Sequence, residues 1–218
     1  MLKKFLIFFS LFLSGPLLAD DCLVYKNIPK IIVNEPDYTI EIVQPNTPMD
    51  LWHGNVIATM VDNYDLITDV KPVKDGFCVV LKIVNSLFGY NDFRVNIDIH
   101  HTPNGCAYNA ILEHEKKHIN TYLEIIQEFK GDLQQSIFNA ADSVMPVFIK
   151  SKQDVLLAVD KMNNELQSHP ELVLVKQKIK AAEEIKNKNI DKSNYNTDEL
   201  KKAGFFTGFY LKCITNTN

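Results

Sequence analysis

The repeat of apolar residues changes period once, abruptly, and that change limits what this chain can fold into. Phe93, Val95, Ile97 and Ile99 alternate with Arg94, Asn96, Asp98 and His100, the period of a strand with one buried face. Beyond the turn-forming run Thr102-Pro103-Asn104-Gly105, Ile111, His114, His118, Tyr122, Ile125 and Phe129 recur every three or four residues, the period of an amphipathic helix. A sheet must therefore hand the chain to a helix at about residue 105.

The same division extends outward. Residues 31–33, 38–43, 55–61 and 77–84 are short β-branched or aromatic runs, separated by Pro29, Pro36, Pro45, Pro48, Gly54, Pro72 and Gly76, and they read as strands. Phe88-Gly89-Tyr90-Asn91-Asp92 carries turn chemistry, which predicts a hairpin with its tip near Tyr90. Downstream, Gly131 reads as a helix C-cap, followed by helices over 132–145, 151–167 and 170–186. Residues 187–197 are polar and lysine-rich and read as a solvated loop, and 205–214 as a final strand. The expected fold is α+β: a mainly antiparallel sheet packed on the helix that begins near residue 105, with a helical C-terminal half. Residues 20–150 would form the α+β domain, and 151–218 a helical extension packed on it.

Residues 1–19 read as a cleaved secretory signal. Lys3 and Lys4 precede an apolar run from Phe5 to Leu13, a break at Ser14, Gly15 and Pro16, and the small-residue exit at Ala19. The apolar run falls short of the roughly 20 residues a bilayer span needs, and no second such run follows. The expected location is thus the periplasm or the outside of the cell, with no integral membrane segment after cleavage. Loss of the two lysines takes the formal charge from −4 to −6, which argues against a nucleic-acid partner. In an exported chain Cys22, Cys78, Cys106 and Cys213 suggest disulfides. A hairpin tip at Tyr90 would bring Cys78 opposite Cys106 and leave Cys22 to pair with Cys213, unless one pair stays reduced.

The chemistry is concentrated in His114-Glu115-Lys116-Lys117-His118. Histidines four apart on a helix share a face, as two ligands of one tetrahedral Zn2+ require. Glu115 is then placed to take a proton from a zinc-activated water as that water attacks a carbonyl. Both histidines interrupt an apolar stripe, where two imidazoles without partners would be costly and a shared metal would satisfy both.

With its preceding strand, this segment resembles the zincin metallopeptidases, in which an edge strand lies above the active-site helix. More narrowly, the signal, Gly76-Phe77-Cys78-Val79-Val80, and Ala110-Ile111-Leu112-Glu113-His114-Glu115-Lys116-Lys117-His118 resemble a group of small secreted bacterial zinc-dependent proteases. The likeness covers about 75–129 and implies peptide hydrolysis without indicating a substrate. It departs from the metzincin pattern, since Thr121 stands where that pattern has glycine and Glu124 where it has a third ligand. On an unbroken helix Glu124 would lie about 9 Å beyond His118 along the axis. A third ligand from the next helix fits better. If Gly131 turned the chain back, Asp142 would come level with His118, and it is the first choice, ahead of Asp132, Glu128 and His169. His100 and His101 are candidates for lining the cleft, whereas His53 and His169 read as structural.

The function these residues point to is a secreted or periplasmic zinc-dependent hydrolase, a peptidase acting on a peptide, a protein or a cell-wall amide. The alternative is a zinc-stabilised, non-catalytic envelope protein that binds a partner through its helical half.

Overall fold

The computed structural model describes residues 20–48 and 54–193. A short helix α1 (Asp20–Leu23) leads into strands β1 (Lys30–Asn34) and β2 (Thr39–Val43). Two long strands follow, β3 (Gly54–Val73) and β4 (Gly76–Ile97), joined by a two-residue turn at Lys74 and Asp75. Then come helix α2 (Cys106–Ser143), strand β5 (Val147–Ile149), and helices α3 (Val155–Gln167) and α4 (Pro170–Ser193).

All pairing in the sheet runs through β4. β3 lies antiparallel along one edge of β4 over its whole length. The other edge is shared in succession by β5 opposite Phe77 to Val79, β1 opposite Ile83 to Leu87, and β2 opposite Asp92 to Asn96. β1 and β2 are successive pieces of one extended run interrupted at Pro36, so both take the same direction, and both are parallel to β4. The expectation of a mainly antiparallel sheet is thereby corrected: the fold is α+β, with a parallel path β1-β4-β2 at its centre.

The predicted hairpin at Tyr90 does not form. The chain reverses instead at Val73-Lys74-Asp75-Gly76, with Lys74 and Asp75 as the two loop residues and Gly76 at the last position of the turn, where glycine is favoured. Residues 88–92 continue β4, and Gly89 serves a different purpose there. Its φ of +146° is one that side chains rarely adopt, and a Cβ on it would lie 3.1 Å from Pro36 Cδ, so glycine lets the break between β1 and β2 pack against the strand.

The ladder slips at two places, between Thr59 and Met60 and between Ile67 and Thr68, leaving Asn91 and Lys82 of β4 without opposite residues. Each extra residue reverses which face the following side chains occupy. The core-facing set is therefore Val79 and Leu81, then Val84, Ser86, Phe88 and Tyr90, then Phe93, Val95 and Ile97, all buried. All but Ser86 pack with Ile119, Ile125, Leu133 and Ile137 of α2, Met162 and Leu166 of α3, and Leu172, Val175 and Ile179 of α4 in one cluster. Cys78 and Val80 turn to the other face and meet Cys22.

The Cys22–Cys78 disulfide replaces the expected Cys78–Cys106 pair. With no hairpin at Tyr90, Cys78 sits near the start of a long strand while Cys106 begins α2 beyond its far end. Cys106 is itself disulfide-bonded.

Helix α2 runs unbroken for 38 residues, about 57 Å at 1.5 Å per residue. Gly131 is not a C-cap: it is exposed in mid-helix, and a Cβ there would meet nothing within 4 Å. A lone helical glycine costs about 1 kcal/mol, less than is gained by burying Leu133, Ile137, Ala140 and Ala141 further along. α4 likewise continues past the predicted end at residue 186, to Ser193. Among the described residues no helix is long and apolar enough to cross a membrane. The signal segment 1–19, His53, Cys213 and the strand expected at 205–214 lie outside the described residues.

Candidate metal centre

α2 and α4 lie side by side in opposite directions. Asn139 bonds to Glu171 at one end of the pair, Lys186 meets Glu128 at 2.6 Å further along, and Asn187 and Asp191 reach His118 and His114 at the other end. Each helix contributes two residues spaced four apart, hence on one face. The site is built by facing the His114/His118 pair with the Asn187/Asp191 pair.

The ligating atoms converge. His118 Nε2 lies 3.1 Å from His114 Nε2, and Asp191 Oδ1 is 3.2 Å from the first and 3.4 Å from the second. Zinc bonds of 2.0–2.1 Å at tetrahedral angles set ligand atoms about 3.3 Å apart. Two imidazole nitrogens and a carboxylate oxygen so placed would repel one another unless a proton or cation lay among them. His114, His118 and Asp191 are thus a group that could hold a metal ion.

Both imidazoles are buried, while Asp191 keeps 41% of its side chain exposed. Burial, reinforced by the neighbouring His118, holds the His114 pKa below the ordinary histidine value, which favours the neutral form a metal needs.

Glu115 lies beside this group but is not part of it. It is 4% exposed, and burial, with a smaller contribution from Asp191, pushes its pKa up to about 7. Its carboxylate fits only because β3 starts with glycine: a Cβ on Gly54 would come within 2.9 Å of Glu115 Oε1 and 2.5 Å of Ile111 Cγ2.

These side chains line a cavity of about 310 Å³ bounded by Gly54, Asn55 and Val56 of β3, Tyr122 of α2, and Asn187 and Asp191 of α4. Among the described residues β3 pairs only with β4, and its start at Gly54, Asn55 and Val56 borders the cavity.

The other candidates fall elsewhere. Because α2 does not break at Gly131, Asp142 lies about 36 Å beyond His118 along the helix, and it pairs with Lys26 at 2.9 Å. Asp142 is not brought to the site. Glu128 pairs with Lys186, Asp132 and Glu124 are exposed, and His169 sits at the opposite end of α4 from Asp191. His100 is largely exposed and bonds to Asp98 at 2.7 Å, while His101 is buried with its pKa lowered mainly by that burial. Neither lines the cavity.

Asp191 was missed because 187–197 is polar and reads as loop. One signal was present: the stripe Leu172, Val175, Ile179 continues at helical spacing through Ala182 and Lys186 to Ile190, with Asn187 and Asp191 alongside.

Comparison with known proteins finds no match, whether among family models, curated proteins or solved structures.

Proposed function

We propose that this chain is a zinc-dependent hydrolase, a peptidase of the zincin kind, working outside the cytoplasm. One observation carries the reading: a three-ligand group spaced for tetrahedral zinc shares a cavity with a buried carboxylate that is not one of the ligands. A purely structural site has no use for Glu115, whereas hydrolysis needs a base there. His114, His118 and Asp191 would hold the ion, which when bound makes a water acidic and polarises a carbonyl. Glu115 accepts the proton from the attacking water and returns it to the leaving amine. The edge of β3 at Gly54, Asn55 and Val56, which pairs with no other strand among the described residues, suits an extended peptide that would bond to the strand's backbone. The Cys22–Cys78 disulfide agrees with an oxidising compartment.

A second reading has its own support. After Ile179, α4 buries no apolar side chain fully, so an ion could serve only to fasten that part of the helix to α2 in a non-catalytic envelope protein. Glu115→Gln separates the two. It keeps the side chain's size and removes the base, so zinc content should persist while turnover of a peptide or cell-wall amide found by library screening falls by roughly two orders of magnitude or more. Turnover unchanged in Glu115→Gln would rule out the proposed mechanism, and a zinc-loaded wild type that cleaves nothing across broad libraries would favour the envelope reading.

A further inference from the structure

The metal reading leaves Asn187 without a task, although it is the residue that faces the back of His118. His118 Nδ1 lies 2.8 Å from Asn187 Oδ1, while His118 Nε2 faces His114 and Asp191. A neutral imidazole carries one proton, and the nitrogen without it is the one that can bind a metal. An amide oxygen only accepts, so a bond to Asn187 Oδ1 requires the proton on Nδ1 and leaves the Nε2 lone pair directed at the cluster.

We propose that Asn187 is a positioning residue that fixes His118 in its Nδ1–H tautomer, so that the Nε2 lone pair of His118 is held toward His114 and Asp191. The inference deepens the metal reading of this site and rests on it.

α4 therefore brings more than a ligand. Asn187 and Asp191, four residues apart, orient one imidazole from behind and complete the cluster in front. Outer partners of this kind are worth about 10- to 100-fold in metal affinity.

The test reads the tautomer directly, on the full chain freed of metal, with ¹⁵N-labelled histidine at about pH 8, where imidazoles are neutral. His118, identified by loss of its signals in His118→Gln, should carry its proton on Nδ1 in the wild type. Asn187→Leu should move that proton to Nε2 and weaken zinc binding about 10- to 100-fold. Asn187→Asp retains an acceptor and should preserve both the Nδ1–H tautomer and zinc affinity to within a few-fold. Because Asn187 is only half-buried on the helix surface, neither variant should unfold the protein. A wild-type His118 protonated on Nε2, or an unchanged tautomer in Asn187→Leu, overturns the proposal. A wild type that binds no zinc overturns the metal reading instead, and the tautomer measurement still decides the role of Asn187.

Discussion

The two ends of the α2–α4 pair solve the same packing problem with opposite chemistry. Toward the C-terminus of α2, Leu133, Ile137 and Ala140 belong to one apolar cluster with Leu172 and Val175 of α4, all buried. Toward its N-terminus the inward positions are His114, His118, Asn187 and Asp191, joined by hydrogen bonds and charge. The first end is stabilised by removing apolar surface from water, about 25 cal/mol per Å². The second gains little from burial, since two imidazoles and a carboxylate lose hydration on docking. Its stability is therefore conditional on what lies among the ligands. A helix fastened by apolar packing at one end and by polar groups at the other could hold an ion there without that ion holding the fold together.

The largest expected effect tests the apolar end. Ile137→Ala removes a fully buried side chain and should cost about 2–5 kcal/mol in denaturant unfolding, equally with and without metal. A cost that depended on metal would erase the distinction between the two ends.

A somewhat smaller effect, of opposite sign, belongs to the polar end. Glu115 is buried, and its pKa rises from the ordinary 4.5 to about 7. Below pH 4.5 the folded and unfolded chains both hold the proton, so no difference arises. Between about 4.5 and 7 the unfolded chain loses it first, so stability falls as pH rises, and above 7 the penalty is constant. Metal-free Glu115→Gln should thus be more stable than metal-free wild type by up to about 3 kcal/mol above pH 7, with the gap closing toward pH 4.5. Melting curves across pH check this, and a gap that widened toward acid would show the sign to be wrong. Adding zinc should narrow the gap, because a nearby cation favours the carboxylate.

The smallest effect sharpens the contrast between the ends. Lys186→Ala removes an exposed pairing with Glu128 and should cost no more than about 1 kcal/mol, decreasing with salt. A loss matching that of Ile137→Ala would mean that the polar half of α4 is fastened by its ion pairs.

How far the sequence revealed this arrangement depends on the residues concerned. The start of α2 and its two histidines were legible because a helical period over residues 111–129 survives whatever packs against it. β4 was legible at its two ends, as strand runs over 77–84 and from Phe93 onward, but not as one continuous strand. The extra residues Lys82 and Asn91 reverse the inward parity twice, so an alternation read outward from Phe93 loses step at Tyr90, where Gly89 and Asn91 imitate a turn. The parallel course of β1 and β2 follows from their sharing one edge of a single long strand, a long-range fact with no local signature. Asp142 was favoured on the premise that Gly131 ends the helix, yet the apolar stripe through Leu133 and Ile137 argued for continuation. Asp191 was hidden for a converse reason: a helix face that lines a polar site is polar, and its composition resembles that of a solvated loop.

We propose that α2 and α4 together hold one zinc ion, a proposal that metal analysis of the purified chain puts to the test. One zinc per chain is expected in the wild type, none in His114→Ala/His118→Ala, and markedly weakened retention in Asp191→Ala, with Asp142→Ala indistinguishable from wild type. Stoichiometric zinc in the double histidine variant, or a wild type that takes up none when zinc is supplied, would contradict it.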